Sequence, residues 1–159
     1  MSLKNILHRY FKPFNINGSI GARELYGASL AAVEIRKVLK IAFPGVKFSV
    51  TSKNYDSVRI NWTNGPTQKE VNRYTTDFEY GQFNGMTDSY EYTNRNNLPQ
   101  TKYLFLIRKM SPGVSDFLDK ELKDYFHFSN DMPEWERQRM IERKKNELFD
   151  AHSFSPNID

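Results

Sequence analysis

The chain has 159 residues, a formal net charge of +4 and no cysteine. That length is enough for one domain with a real hydrophobic core, and the missing cysteine excludes a disulfide framework, cysteine-ligated metal sites and a cysteine nucleophile. No apolar run approaches the roughly 20 residues that a membrane span needs. The opening MSLKNILHRYFKPF lacks the continuous apolar segment and small-residue cleavage site of a signal peptide, so the expectation is a soluble intracellular protein.

The charge is distributed unevenly. Residues 1–50 carry eight Lys and Arg against two Asp and Glu, whereas 51–100 and 101–159 each carry one more acid than base. Such an asymmetry points to a polyanion or an acidic partner, or to the ordinary solvation of a surface helix.

Residues 1–28 are broken by Pro13, Gly18, Gly21 and Gly27 and read as a partly ordered lead-in with a short helical turn near Asn5 to Phe11. Ser29 to Phe43 is the clearest helix. Ser29 is placed to cap it, and Ala31, Ile35, Val38, Leu39 and Ala42 fall on one face at three- and four-residue steps. Arg36, Lys37 and Lys40 lie off that face, and Pro44-Gly45 ends the helix.

Val46 to Val50 and Ser57 to Thr63 alternate apolar and polar residues and predict two strands, paired as an antiparallel hairpin across a polar link at Thr51 to Asp56. Asn64-Gly65-Pro66 is a turn signal. Thr67 with Glu70 fits a capping box for a helix that places Val71, Tyr74 and Phe78 on one side, runs to about Tyr80 and stops at Gly81. Gly81 to Asp88 reads as a loop, Ser89 to Thr93 as a short strand, and the apolar Tyr103 to Lys109 as another strand.

Ser111 and Pro112 are a cap and a first-turn proline for a helix over 112–126 with an apolar stripe of Val114, Phe117, Leu118, Leu122, Tyr125 and Phe126. The last helix, from about Pro133 to Ala151, has only a thin apolar seam of Trp135, Ile141, Leu148 and Phe149 among opposite charges that pair along the helix. The order of elements predicts an α+β fold, with a small antiparallel sheet of about four strands packed by helices and a helical C-terminus. The division expected is a lead-in over 1–28, a core domain over 29–126 and a charged helix and tail over 127–159.

Candidate chemistry is sparse. His8, His127 and His152 are far apart and none has a second ligand at metal spacing; His127, in YFHFS, is expected to pack. No G-x-S-x-G elbow, Walker loop or dinucleotide-binding glycine pattern is present, and neither a cofactor nor a metal is expected. The densest stretch is FEYGQFNGMTDSYEY, residues 78–92. Its carboxylates, Glu79, Asp88 and Glu91, with Asp77 beside them, are the best case for acid–base or cation chemistry. Nothing in their spacing aims them at one point. The alternative is an acidic aromatic contact surface built from Phe83, Met86, Asp88, Tyr90, Glu91 and Tyr92, since tyrosines anchor interfaces. The opposing case is a phosphate-binding face built from Lys4, Arg9, Lys12, Arg36, Lys37, Lys40 and Lys47 and extended by Arg59 and Arg73, with Tyr or Phe rings to stack on bases. No familiar nucleic-acid-binding signature is readable.

One ordered string goes further. IRKVLKIAFPGVKFSVTSKNYDSVRINWTNGPTQKEV followed by FEYGQFNGMTDSYEY resembles the large polyvalent protein-associated domain 29 family over about Ser29 to Thr93. The likeness lies in F-P-x-V-K-F-S-V, then V-x-I-x-W-T-x-G-P-T, then F-x-x-G-x-F-x-G-M-x-D-x-Y-E-Y. Such domains occur in proteins of phages, plasmids and conjugative elements. The resemblance therefore implies a protein acting in the cytoplasm of a bacterial host, where it protects or establishes the element, for instance by contacting a restriction or CRISPR-type defence complex. It supplies no catalytic residue. The leading expectation is a non-enzymatic protein-binding module, and the alternative is a nucleic-acid-binding accessory protein.

Overall fold

Alanines and long aliphatic side chains at helical spacing bury one side of the first helix, α1 (Ala28–Ala42), through Ala28, Ala31, Ala32, Ile35, Val38 and Leu39. Each large member contributes about 1.5–3 kcal/mol by leaving water. The computed structural model describes residues 27–54, 56–92 and 98–157; the expected helical turn at 5–11 lies outside them. Gly27, rather than Ser29, stands at the N-cap. Burial of Ala28 draws the helix start back, so Ser29 falls inside the first turn, with its Oγ 3.2 Å from the Ser52 hydroxyl. At the other end Gly45, at φ +92°, turns the chain as the sequence predicts.

Strand β1 (Ser49–Asn54) starts three residues later than expected and runs through most of the supposed link. Val46 and Phe48 alternate like a strand but do not pair. They pack on the core instead, with the Phe48 ring 5.6 Å from Trp62. Strand β2 (Ser57–Thr63) pairs with β1 antiparallel, Val50 opposite Ile60. Its Val58, Ile60 and Trp62 are buried and alternate with the outward Arg59, Asn61 and Thr63, as the period of two requires.

Helix α2 (Gln68–Thr75) begins with the expected capping box: the Thr67 hydroxyl accepts from the Glu70 amide and the Glu70 carboxylate accepts from the Thr67 amide. It ends five residues before Tyr80. The Thr75 hydroxyl donates to the Val71 carbonyl at 3.2 Å, and two β-branched residues in succession weaken the helix, so a tight 3₁₀ turn over Thr76–Phe78 delivers Phe78 into the core. The expected loop at 81–88 instead contains strand β3 (Gly81–Asn84), which forms a separate two-stranded hairpin with β4 (Ser89–Tyr92).

Strand β5 (Tyr103–Lys109) pairs with β2 in parallel, from Ser57 beside Tyr103 to Thr63 beside Lys109. The class is α+β as expected, but the main sheet is mixed and three-stranded, in the order β1-β2-β5. A parallel neighbour needs a crossover of a dozen residues or more; the segment from Asn64 to Lys102, holding α2 and the β3–β4 hairpin, supplies it. Helix α1, together with Val71 and Phe78, covers the inner face through Val50, Val58, Ile60 and Trp62.

Helix α3 (Pro112–Tyr125) is capped by Ser111, whose hydroxyl accepts from the Val114 amide. Only Val114, Leu118 and Leu122 are buried. Against expectation Phe117 is 53% and Tyr125 77% exposed. The reason is the partner: α4 (Glu134–Ala151) presents an equally narrow row, Ile141, Lys145 and Phe149, and two rows at four-residue steps leave flanking rings outside. Trp135, read as part of the seam, is also exposed. Lys145 reaches Glu142 at 2.7 Å, Asp119 at 3.0 Å and the Ser115 hydroxyl at 3.2 Å. Burial pushes its pKa down, but Glu142 and Asp119 outweigh that and hold it above its ordinary value.

One turn joins sheet, α3 and α4. Asn64 is buried at φ 53°; its amide donates to the Ser111 hydroxyl at 2.9 Å, and its side-chain oxygen accepts from the Ser111 backbone at 3.0 Å. Gly65 follows at φ +57° with Val46 so close that a Cβ would sit 3.2 Å from it. Arg108 donates to the carbonyls of Asn64, Gly65 and His152 at 2.8–2.9 Å and to that of Phe149, and stacks 3.9 Å over the Phe149 ring.

Asn64→Ala removes two buried hydrogen bonds and places alanine in a left-handed conformation. It is expected to lower stability by about 2–4 kcal/mol in chemical denaturation. Lys145→Ala should cost about 2–3 kcal/mol, whereas Lys145→Met, which keeps the packing and frees two partly exposed carboxylates, should fall within about 1 kcal/mol of the parent.

Candidate nucleic-acid interface

Two grooves meet where α1 hands over to β1. The first, about 600 Å³, has an apolar floor of Phe43, Pro44, Val46 and Phe48 and a rim of Arg36, Lys40 and Lys47. The second, about 520 Å³, runs from Lys47 over Ser49, Asn61 and Thr63 to Lys109, with Pro156 and Asn157 on its far wall. Gly45 and Lys47 line both. Among the described residues the two linings hold four cations and no carboxylate.

Among the described residues this geometry sorts the cations read from the sequence; Lys4, Arg9 and Lys12 lie outside them. Arg36, Lys40 and Lys47 come together, and the Arg36 guanidinium is anchored by donating to the Val50 carbonyl at 2.5 Å. Lys37 turns to Glu34 at 2.7 Å, an exposed pair worth about 0.5 kcal/mol. Arg59 stands apart on the outer sheet face, 5.9 Å over the Phe105 ring. Lys109 was missed by sequence reasoning. The available signal was its parity with Tyr103 and Phe105, which puts it on the same face.

Among the described residues, no helix lies on that outer face, and Pro156 and Asn157 border its Thr63 and Lys109 end. The helices packed on the sheet lie on the other side, and none of the outward residues of β2 and β5 is buried. Tyr103 and Phe105 stack with ring centres 6.4 Å apart at 26°, with Lys102 5.2 Å from the centre of the Tyr103 ring. The outward side chains of β2 and β5 include no Asp or Glu.

Among the described side chains the acidic candidates do not assemble. Glu79 accepts from the Leu104 amide at 3.0 Å and so holds the start of β5; burial pushes its carboxyl up, opposed by that hydrogen bond. Asp88, exposed at φ 47°, and Met86, 96% exposed, are on the β3–β4 turn. Phe83 pairs with Tyr90 across the hairpin, Glu91 with Gln82 and Tyr92 with Gly81. Among the described residues no group of three His, Asp or Glu is placed to hold a metal ion. His127 is exposed while Phe126 and Phe128 stack on each other, so the packing expected of it is supplied by its neighbours.

The far wall of the second groove depends on Glu70. Its carboxylate accepts from the Ser153 hydroxyl at 2.5 Å as well as from Thr67, and Phe154 donates its amide to Gly65. These bonds fix the segment that ends in Pro156 and Asn157.

A mixed sheet shielded by helices on one side and bearing rings and cations on the other defines this as a small α+β domain with a basic face. The family model for large polyvalent protein associated domain 29 matches residues 26–111. The chain belongs to that family, which is associated with phages, plasmids and conjugative elements. The match reaches past the sequence string at 29–93 to take in β5 and the Ser111 cap. No curated protein and no solved structure matches the chain. No helix among the described residues is long and apolar enough to cross a membrane.

The hydrogen bonds from Ser153 and Thr67, helped by Arg108, hold the Glu70 carboxyl below its ordinary 4.5 despite burial. A lowered carboxyl stabilises the fold above its unfolded pKa and loses that contribution as pH falls through the folded value. Hydrogen exchange of residues 152–157 is therefore expected to accelerate as pH drops below about 4.5, after correction for intrinsic rates, and Glu70→Gln should flatten that dependence.

Proposed function

We propose that this domain is a non-catalytic accessory module of a mobile genetic element that holds nucleic acid on its basic surface. The observation that supports this reading is the pair of grooves whose described lining holds Arg36, Lys40, Lys47 and Lys109 and no carboxylate. A run of cations free of acids attracts phosphates and gains from counterion release. The mobile-element association of the family fits a ligand that such elements carry. The dispersal of Glu79 and Asp88 favours binding over hydrolysis.

A second reading has its own support. Met86 stands almost fully exposed on a turn braced by Asn84, whose side chain accepts from the Met86 amide. A flexible apolar tip of this kind suits insertion into a partner protein, and the host target in that reading is a defence complex of restriction or CRISPR type. Met86→Asp would then abolish the contact and leave nucleic-acid binding unchanged.

The leading reading is tested by titrating the full chain with a labelled oligonucleotide at several salt concentrations. Affinity should fall steeply with salt. Lys47→Glu with Lys109→Glu should weaken binding at least about tenfold and flatten the salt slope by about one to two. Absent or salt-insensitive binding rejects it.

A further inference from the structure

The grooves account for phosphates but not for the exposed rings beside them. Phe105 is 47% exposed in the middle of β5. Its ring centre lies 6.4 Å from that of Tyr103, with 26° between the two planes, and 5.9 Å from the Arg59 guanidinium. A half-exposed aromatic ring in the middle of a strand spends apolar area on water. Here it also has the company that a nucleobase finds favourable: a second ring whose plane is tilted 26° from its own and a nearby guanidinium.

From this we infer that the ligand is single-stranded nucleic acid, with its bases stacked on Phe105 and Tyr103 and its backbone led along Arg59 and Lys109 toward Lys47. The inference deepens the proposed function and rests on it. Charge complementarity selects the occupant. β2 and β5 turn no acid toward this face, while Arg59 and Lys109 lie on it and Lys47 lies at its end. A second copy of the chain would bring the same cations against them. A duplex would offer phosphates but keep its bases stacked on one another and unavailable to the rings. A free strand offers both. The face fits in length as well: the seven-residue strands β2 and β5 extend about 20 Å, room for a few nucleotides. Backbone phosphate and aromatic stacking are common to DNA and RNA, so the site takes either by this chemistry.

The test uses the full chain with three probes of about 12 nucleotides each: a deoxythymidine or uridine strand, the duplex of the same length, and a sugar-phosphate strand without bases. The strand with bases is expected to bind about tenfold tighter than either of the others. Phe105→Leu keeps a residue suited to a strand and should lower strand affinity about tenfold while leaving the base-free strand unchanged; Phe105→Tyr should restore binding. Thermal melts of both variants serve as the folding control. Equal affinity for strand and duplex overturns the inference, as does an unaffected Phe105→Leu; in both cases the groove reading survives if Lys47→Glu with Lys109→Glu still abolishes binding. If no probe binds, both readings fall. If Phe105→Leu instead splits a dimer without changing affinity, the face belongs to a second copy and the inference is overturned.

Discussion

The left-handed turn at Asn64 and Gly65, and the Arg108 side chain that fills it, hold the rest of the molecule in register. A chain leaving β2 in an extended conformation would continue past the sheet. Two successive positive φ values reverse it, and the buried Asn64 amide uses that reversal to grip Ser111 from both sides. Ser111 is also the cap of α3, so one side chain fixes where a strand ends and where a distant helix begins. Arg108 then satisfies the carbonyls the reversal exposes, together with two at the end of α4. Burial lowers its pKa, opposed by Asp150 and Glu70, but a guanidinium keeps its charge in such a place. The cluster works because every polar group in it has a partner, and a half-satisfied version would be worse than an apolar one.

The same turn shapes the surface. Val46, packed against Gly65, holds the Pro44–Phe48 segment in place, and Lys47 projects from that segment into both grooves. Lys109 emerges from the adjacent end of β5, whose carbonyl accepts from the Asn64 amide. Two cations from segments about sixty residues apart therefore border one groove because a single buried asparagine sets the spacing between their backbones. The two faces of β2 differ: Val58, Ile60 and Trp62 hold the core, while the residues between them face outward.

Local signals in the sequence were readable where local physics decides. Thr67 with Glu70, and Ser111 with Pro112, satisfy helix ends within a few residues, and both motifs form as spaced. The alternation in β2 is legible because its outward residues are polar. In YLFLIRK both faces begin apolar, so periodicity lacked contrast and the outward placement of Phe105 was hidden. The parallel pairing of β5 with β2 was equally hidden, because it is set by a long crossover rather than by a turn. Phe117 and Tyr125 looked like core because α3 alone shows a broad stripe; only the narrow row of α4 decides which part of it is covered. Asn64 reads as part of an ordinary turn and Arg108 as one residue of a strand, and no local pattern announces that a polar side chain will be buried with its bonds made.

The parallel pairing has a consequence for how the chain comes to be folded. Every β2–β5 contact joins residues 46 positions apart, so on a ribosome β2 is finished well before its second neighbour exists. During that interval α1, β1 and β2 can associate, but the free edge of β2 carries unpaired backbone groups beside strongly apolar side chains. Long-range pairing of this sort is slow to form and exposes the chain to association with its own copies while it waits. Arg59, directly beside the future position of Phe105, and the acid-free polar row around it put charge along that waiting edge. The polar, charged outward row of β2 thus also weighs against the nascent half-sheet pairing with a wrong strand.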